Sequence, residues 1–478
     1  MCIRDRLRSL SRVSRYTSAT PADREAMLAA IGAESAAELF EQIPEPLRLG
    51  RPLALPDGLS EAEVYERLAA LAGRNADAEE QVCFLGAGMY DHYVPAIVDA
   101  ITQRSEFLTP YTPYQPEISQ GGLQAMFEFQ TAISELTALP VSNAGLYEGP
   151  SSAASAAYLA IGATKGRKRL VVSRGLHPHS RETLTTYCEG FGAEIAEVGL
   201  DDGRTDAAAL AEAVDEQTAA VFLQSPNFLG AVEEVEALGA AAKQHGALLI
   251  VAVDPMTLGV LKPPGEQGAD VAFGEGQPLG NRLDFGGPSF GFFCGSEELI
   301  RKMPGRIAGE TDDVDGRRGF VLALQTREQH IRREKATHNI CTAQALNALA
   351  ATIHLAWLGR EGFRELGELL LRRTAYARER LAATPGVGLL HEAPVAREIA
   401  LRLDAPVDRV LERCAERGIA AGYPLGREYP EYEDGLLVAI TERRTKAQID
   451  DLAEALGAAV AGESGALVGN IATKEPGV

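Results

Sequence analysis

The chain has 478 residues, enough for about three domains of ordinary size or for one large α/β domain with appendages. Hydrophobic residues make up 46% and charged residues 24%, which excludes a disordered or collagen-like chain. Lys and Arg total 46 against 67 Asp and Glu, giving a net charge of −21. Because such an acidic surface repels nucleic-acid phosphates and anionic lipid, neither nucleic acid nor a membrane surface is an expected partner.

The six cysteines are scattered, with no C-x-x-C pair and no spacing that suits a zinc site. This pattern predicts a reduced, intracellular protein without a metal. The longest apolar run, residues 247–253, is far shorter than the roughly 20 residues of a membrane-spanning helix. Residues 1–15 are rich in arginine, as in a transit peptide. An extra or misassigned start is the favoured interpretation, so these arginines are expected to carry no function.

The N-terminal region, residues 1–75, is predicted to be a helical extension. Thr20 and Pro21 supply a helix cap and a first-turn proline. Residues 60–63 read Ser-Glu-Ala-Glu, a capping box that precedes a stripe of apolar residues on one helix face.

Residues 76–326 are predicted to form a large α/β domain, because short apolar strands alternate with helices. This alternation is typical of a parallel sheet covered on both faces. The predicted strands are residues 170–173, 219–223, 248–253 and 271–273, and the predicted helices are residues 181–189 and 233–245.

A smaller C-terminal α+β domain is predicted for residues 327–462, followed by a flexible tail over residues 463–478, which lack periodicity. The predicted elements of this domain are a helix-rich stretch 327–382, a strand 398–403, a helix ending at residue 417, a strand 436–440 and a helix 446–456.

Three short motifs suggest chemistry but lack the context it needs. Residues 287–291 match the G-x-S-x-G nucleophile elbow, yet an apolar strand-like run follows where a helix is required. The glycines of residues 274–280 have the wrong spacing for a dinucleotide fingerprint, and Pro278 blocks close approach of a phosphate. His177 and His179 have no nearby third ligand for a metal, so a loop histidine pair is the preferred interpretation.

Asp254 is the most informative single residue, because it follows a predicted strand at the carboxyl edge of a parallel sheet, where ligands of open α/β folds bind. A carboxylate there could hold the protonated ring nitrogen of pyridoxal phosphate, although a surface cap is an equally good interpretation. That cofactor also needs a lysine for its Schiff base. The loop after the strand 271–273 offers Gln277 and Pro278 instead, so the fold suits the cofactor but the anchor is missing.

Residues 84–122 are unusually dense in tyrosine, glycine and proline. Rigid aromatic rings with polar tips suit a pocket wall or a protein interface, with buried structural tyrosines as the alternative. Gly121 and Gly122 let the backbone approach a ligand or partner closely. The candidates for wall or interface residues are Tyr90, Tyr93, Tyr111, Tyr114 and Glu117.

Three segments of this sequence carry a specific resemblance. Residues 84–93, 109–121 and 325–337 resemble the first-subunit family of the two-subunit glycine dehydrogenase (decarboxylating), the P-protein of the glycine cleavage system. The resemblance extends from about residue 15 to about residue 458. It implies a fold type I pyridoxal-phosphate-dependent transferase-like large domain and an enzyme that decarboxylates glycine and passes the aminomethyl group to the lipoyl arm of the H-protein.

The resemblance also implies how the work is divided between subunits. It implies an α2β2 heterotetramer with a homologous β subunit, which carries the Schiff-base lysine and the pyridoxal phosphate, and a cytoplasmic location. This chain would then hold no catalytic lysine and would help to build the active site at the α/β interface. Asp254 and His177 occupy positions where a cofactor-binding relative places its pyridinium partner and ring-stacking group, so they are candidates for a vestigial cofactor site.

Two other hypotheses stay open at this point. One is a self-sufficient pyridoxal-phosphate enzyme that uses an unexpected lysine among the eight in the chain. The other is a structural or regulatory paralogue that binds a partner without supporting turnover.

Overall fold

The computed structural model describes residues 18–51, 53–284, 289–336, 338, 340 and 343–472, with the backbone alone over 463–472. The chain divides into two compact units between Asn75 and Ala76. In the first unit, helices span Pro21–Ile31 and Glu61–Ala72, as their caps predict: Thr20 and Ser60 each accept a hydrogen bond from the backbone N–H three residues on. The predicted role of residues 1–15 lies outside the described residues.

The second unit contains α-helices and strands in alternation. Its α-helices span Ala96–Thr102, Ser105–Leu108, Gln120–Thr137, Gly149–Ala163, Pro178–Phe191, Ala207–Ala213, Val235–Gln244, Gln329–Arg332, Ala345–Ala382, Val407–Glu416 and Lys446–Ala472. The strands, in chain order, are β1 Val82–Cys83, β2 Val141–Ser142, β3 Arg169–Ser173, β4 Glu194–Val198, β5 Leu200–Asp201, β6 Arg204–Thr205, β7 Thr218–Ser225, β8 Leu248–Val253, β9 Val271–Glu275, β10 Gly291–Gly295, β11 Ile307–Asp312, β12 Arg318–Ala323, β13 Val387–Leu389, β14 Glu398–Leu403, β15 Ile419–Ala420, β16 Tyr423–Pro424 and β17 Gly435–Ala439.

The central sheet has seven strands in the order β2-β10-β9-β8-β7-β3-β4. The five strands from β9 to β4 are mutually parallel, as the sequence predicts, but β10 runs antiparallel to both β9 and β2. The predicted strands of this sheet, which correspond to β3, β7, β8 and β9, are therefore parallel as expected, and β10, which is not among the predicted strands, makes the sheet mixed. The connection from β9 to β10 spans residues 276–290, after which the chain returns beside β9 in the opposite direction.

The predicted elements recur with small shifts of their ends. The strands 248–253 and 398–403 have the predicted bounds, and the helix predicted for 181–189 begins earlier, at Pro178, because His177 caps it. The helix-rich stretch contains one long helical segment, Ala345–Ala382, which is interrupted at Gly359, where φ is 61°.

The smaller sheet is antiparallel, in the order β13-β14-β17-β16. Its apolar face packs with the helices Val407–Glu416 and Lys446–Ala472 into one buried cluster, while two further clusters cover the faces of the central sheet. The last helix continues through residue 472, so the predicted unstructured tail is helical over 463–472, and residues 473–478 lie outside the described part. Among the described helices, none has the length and apolar character that crossing a bilayer requires.

Candidate functional site

A cavity of about 290 Å³ lies at the carboxyl edge of the central sheet, where β7, β8 and β9 end. Ligands of open α/β sheets bind at this edge, because the loops that follow the strands converge there. Its wall combines these strand ends with the loop after β1, the helices that begin at Gly149 and Pro178, and the start of β14. The predicted residues Tyr90, His177 and Asp254 all line it.

Asp254 follows β8 directly, and both of its carboxylate oxygens have partners within the chain. Oδ1 accepts a hydrogen bond from the Met256 N–H at 3.1 Å, which caps the short 3-10 helix Pro255–Gly259. Oδ2 lies 2.6 Å from Nε of Arg397, whose side chain is 2% exposed. The negative charge at the end of β8 is therefore already balanced by a buried guanidinium.

Glu398, the first residue of β14, lines the cavity, and its neighbour Arg397 contacts two of the lining residues, Asp254 and Tyr90. The Arg397 guanidinium lies 3.3 Å from the centre of the Tyr90 ring, a cation–π contact. The Tyr90 hydroxyl donates to Oε2 of Glu398 at 2.9 Å, and Oε1 of Glu398 accepts from the Ala87 N–H at 2.8 Å. Burial raises the pKa of Glu398 to about 7, although the Arg397 charge opposes this.

A second branch of the same network runs outward from Arg397. One guanidinium nitrogen donates to Nε2 of His92, so the His92 proton must lie on Nδ1, which donates to Oε2 of Glu442 at 2.6 Å. Burial alone would raise the pKa of Glu442, but its contacts with His92 and the Tyr93 backbone N–H lower that pKa to about 2. A continuous chain of polar contacts thus joins Asp254 to Glu442.

The loop after β1 fits against these groups only because it contains glycine. A Cβ on Gly86 would lie 2.4 Å from Oε1 of Glu398, and a Cβ on Gly88 would lie 2.8 Å from Nε2 of His177. Gly88 also has φ of +100°, a conformation that disfavours other residues. The loop can therefore approach both the small domain and His177 closely.

His177 is fixed in orientation by hydrogen bonds at both ring nitrogens. Nε2 donates to the Ala87 carbonyl at 2.8 Å, and Nδ1 accepts from the His179 N–H at 3.1 Å. Burial lowers the pKa of His177 to about 4, so the ring is neutral at pH 7. Its edge-to-face partner is Phe228, with ring centres 5.0 Å apart.

The helix Gly149–Ala163 points its amino end at the cavity, and two carboxylates already bind there. Oε2 of Glu275 accepts from the Gly149 N–H at 3.1 Å, and Oε1 of Glu148 accepts from the Ser151 N–H at 2.9 Å. Glu275 also accepts from the Gln277 N–H at 3.0 Å and from the Ser289 hydroxyl. Burial raises the pKa of Glu275, while these donors favour its ionised form.

Gln277, at the position expected for a Schiff-base lysine, is fully buried and does not line the cavity. Its Oε1 accepts from the Tyr90 N–H at 2.9 Å and its Nε2 donates to the Tyr90 carbonyl at 3.0 Å. The side chain thus cross-links the loop after β9 to the loop after β1. No lysine is among the described residues that line the cavity.

These contacts do not fit the pyridoxal phosphate that the sequence resemblance implies. Glu148 and Glu275 occupy a helix N-terminus that could otherwise receive a phosphate, Arg397 is paired with Asp254, and Gln277 replaces the lysine. The groups of this chain that could bind the charged ends of the cofactor are therefore already paired with one another.

The other predicted site residues lie outside this cavity. Tyr93 is 56% exposed and lines a neighbouring cleft of about 690 Å³. Tyr111 is 76% exposed, and Glu117 is exposed as well. Tyr114 is 43% exposed, and its hydroxyl accepts from Nη2 of Arg306 at 3.2 Å.

Sequence reasoning missed Glu148, Glu275, Arg397 and Glu398. The first had a readable signal, because an acid directly before Gly149 and Pro150 is typical of a helix N-terminus. Arg397 and Glu398 stand as a charged pair at the start of an apolar strand, a position that predicts burial without identifying the partners.

Comparisons with known proteins agree with the resemblance in the sequence. The family model described as glycine cleavage system P-protein matches residues 14–456. "Probable glycine dehydrogenase (decarboxylating) subunit 1" of Moorella thermoacetica is 51% identical over 92% of this chain and 98% of its own length. The protein of the same name from Carboxydothermus hydrogenoformans is 48% identical over 93% of this chain and 99% of its own length.

Solved structures give the same result for the fold. A crystal structure of glycine decarboxylase (P-protein) of the glycine cleavage system, in inhibitor-bound form, superposes with a TM-score of 0.86 at 44% identity, covering 93% of this chain and 99% of that one. A glutamate decarboxylase from Lactobacillus brevis superposes with a TM-score of 0.67 at 12% identity, covering 90% of this chain and 97% of that one. The predicted fold type I architecture is thereby confirmed.

Proposed function

We propose, from the premise that this chain belongs to the glycine cleavage system P-protein family, that it is the first subunit of a two-subunit glycine decarboxylase. The support is the near-complete coverage of relatives that bear this subunit name, together with the close superposition on a glycine decarboxylase structure.

Pyridoxal phosphate, in this proposal, serves the complex from the partner β subunit. The observation that carries this assignment is Gln277, which replaces the lysine and is bonded to Tyr90 rather than directed into the cavity. The complex is an α2β2 heterotetramer in the cytoplasm that takes glycine, releases CO2 and passes the aminomethyl group to the lipoyl arm of the H-protein. When bound to the partner, the cofactor acts as the electron sink for loss of the carboxylate.

This chain contributes an interface in that assembly. Tyr93, Tyr111, Tyr114 and Glu117 are exposed, and large tyrosine surfaces are typical of the centres of protein interfaces. The contact with Arg306 holds the Tyr114 ring in place before the partner arrives, which lowers the entropic cost of binding. We propose that these side chains contact the β subunit or line the entrance to its active site.

Reconstitution tests the function directly. Exchange of labelled bicarbonate with the carboxyl group of glycine is measured for this chain alone, for the β subunit alone, and for both together with lipoylated H-protein. We expect rapid exchange from the combined proteins only. Full exchange by the β subunit alone would assign this chain a structural or regulatory role, the third hypothesis from the sequence.

A substitution at Tyr114 tests the interface. Tyr114→Ala removes a ring that packs on His330 with centres 5.0 Å apart, and we expect at least about tenfold weaker association with the β subunit. Tyr187→Ala is the matched control, because Tyr187 is 49% exposed on the helix Pro178–Phe191. Association that is unchanged in Tyr114→Ala would remove Tyr114 from the proposed interface.

A cofactor-trapping experiment separates this proposal from a self-sufficient enzyme. The purified chain is mixed with pyridoxal phosphate and reduced with borohydride, and its peptides are examined by mass spectrometry. We expect no stoichiometric label on any lysine. One label per chain at a single lysine would favour the self-sufficient enzyme instead.

A further inference from the structure

We propose that the cavity of this chain excludes pyridoxal phosphate because its own side chains occupy the positions that the two charged ends of the cofactor require. The missing lysine is then only one of three obstacles. The inference relies on the proposed function solely for the identity of the cofactor.

The phosphate end has no free donors at the helix N-terminus. Of the first four residues of the helix Gly149–Ala163, Pro150 has no N–H, and the N–H groups of Gly149, Ser151 and Ser152 bind Glu275, Glu148 and the Glu148 carbonyl. A phosphate would have to displace these acceptors and then lie beside two carboxylates. Repulsion between these like charges opposes the attraction that a helix N-terminus offers a phosphate.

The pyridine end meets a fixed positive charge. Asp254 could stabilise a protonated ring nitrogen only through an oxygen that is not already neutralised, and its Oδ2 is paired with Arg397. Arg397 remains protonated at any ordinary pH, and its other contacts with Tyr90 and His92 hold it in place. A pyridinium would therefore face a guanidinium across the same carboxylate.

The lysine position adds the third obstacle. The side chain of residue 277 is directed at the backbone of Tyr90 and away from the cavity. A lysine at position 277 would lie against the loop after β1, which Glu398 and Arg397 hold in place through Ala87 and Tyr90. We therefore expect that Gln277→Lys alone does not create a cofactor site.

Binding of pyridoxal phosphate to the full-length chain without its partner tests the inference. Equilibrium dialysis and borohydride trapping are applied to the wild type, to Gln277→Lys, and to Gln277→Lys combined with Glu148→Ala and Glu275→Ala. The matched control combines Gln277→Lys with Glu212→Ala and Glu216→Ala, which remove two exposed carboxylates that do not line the cavity. We expect the triple variant to bind at least about tenfold more tightly than Gln277→Lys or the control.

A second pair of measurements covers the case in which loss of the Glu148 cap unfolds the triple variant. Glu148→Gln with Glu275→Gln keeps the shape and the acceptors but removes the charge, and inorganic phosphate is then the probe. We expect this pair to bind phosphate more tightly than the wild type. Adding Arg397→Gln to a folded triple variant is expected to increase its affinity for pyridoxal phosphate further.

Three results would overturn the inference. The first is stoichiometric binding of pyridoxal phosphate by the wild type. The second is a yield of trapped imine in Gln277→Lys alone that equals the yield in the triple variant. The third is a folded variant without the two carboxylates that binds its probe no more tightly than its control does. All three are read on the isolated chain. A failure of the proposed function would appear instead as lost exchange in the reconstituted complex, so the two failures are distinguishable.

Discussion

The buried carboxyl of Glu398 predicts a specific dependence of stability on pH. Its pKa is about 7 in the folded chain against an ordinary value of 4.5. Between these values the folded state binds a proton that the unfolded state has released, so the free energy of unfolding falls as pH rises. The stabilisation is fully present below pH 4.5 and is lost as pH rises through about 7. At about 1.4 kcal/mol per pH unit, the loss over the interval between the two pKa values is a little over ~3 kcal/mol.

Glu398→Gln removes the titration and keeps the hydrogen bonds. The amide oxygen can accept from the Ala87 N–H, and the amide N–H can donate to the Tyr90 hydroxyl. We expect the variant to equal the wild type near pH 5 and to exceed it by up to about 3 kcal/mol at pH 8. Urea unfolding of both proteins, followed by circular dichroism across this range, measures the difference.

Glu416→Gln is the matched control, because Glu416 is an exposed carboxyl on the same domain. Its stability should run parallel to that of the wild type between pH 5 and 8. The free energies of unfolding of Glu398→Gln and the wild type could also run parallel over this pH range. That result would show that Glu398 is ionised throughout, and it would refute the argument from burial.

Two further predictions concern the same contacts. Asp254→Asn leaves the Arg397 guanidinium buried without its ion partner and should lower the free energy of unfolding by about 3–5 kcal/mol, with recovery when Arg397→Gln is added, as measured in a urea double-mutant cycle. Gly88→Ala places a methyl group 2.8 Å from His177 at a φ of +100° and should cost about 1–3 kcal/mol in the same unfolding assay. Gly162→Ala, a helical position with open space around it, should be neutral or stabilising by up to about 1 kcal/mol, and equal effects of the two glycine variants would contradict the steric argument.

Local patterns were sufficient to predict the elements and one side of the site. Strand β8 is a short apolar run followed by Asp-Pro, so both its bounds and the position of Asp254 at the sheet edge follow from residues that are close in sequence. The alternation of strands and helices likewise predicts parallel pairing for β3, β7, β8 and β9. The antiparallel direction of β10 does not contradict this pattern, because β10 is not among the four strands predicted for the sheet.

The partners of Asp254 could not be predicted, because they depend on how distant segments pack. Arg397 directly precedes β14 of the smaller sheet, and nothing in the residues around it indicates that it will bind Asp254 at the end of β8. For the same reason the sequence could identify tyrosines as wall or interface residues without separating the buried Tyr90 from the exposed Tyr111. Side-chain types predict a kind of surface, and only the fold distributes them between cavity and exterior.

The groups that obstruct the cofactor are also the groups that hold the second unit together. Arg397 joins the end of β8 to the Tyr90 loop and to His92, and Glu398 joins that loop to β14. Opening the cavity to a ligand would therefore require breaking buried, charged contacts whose loss costs several kcal/mol each. Under the proposal that the partner supplies the cofactor, these contacts serve to keep the loop after β1 in one conformation. A fixed loop can then present Tyr93 to a partner without the entropic cost of ordering it on binding.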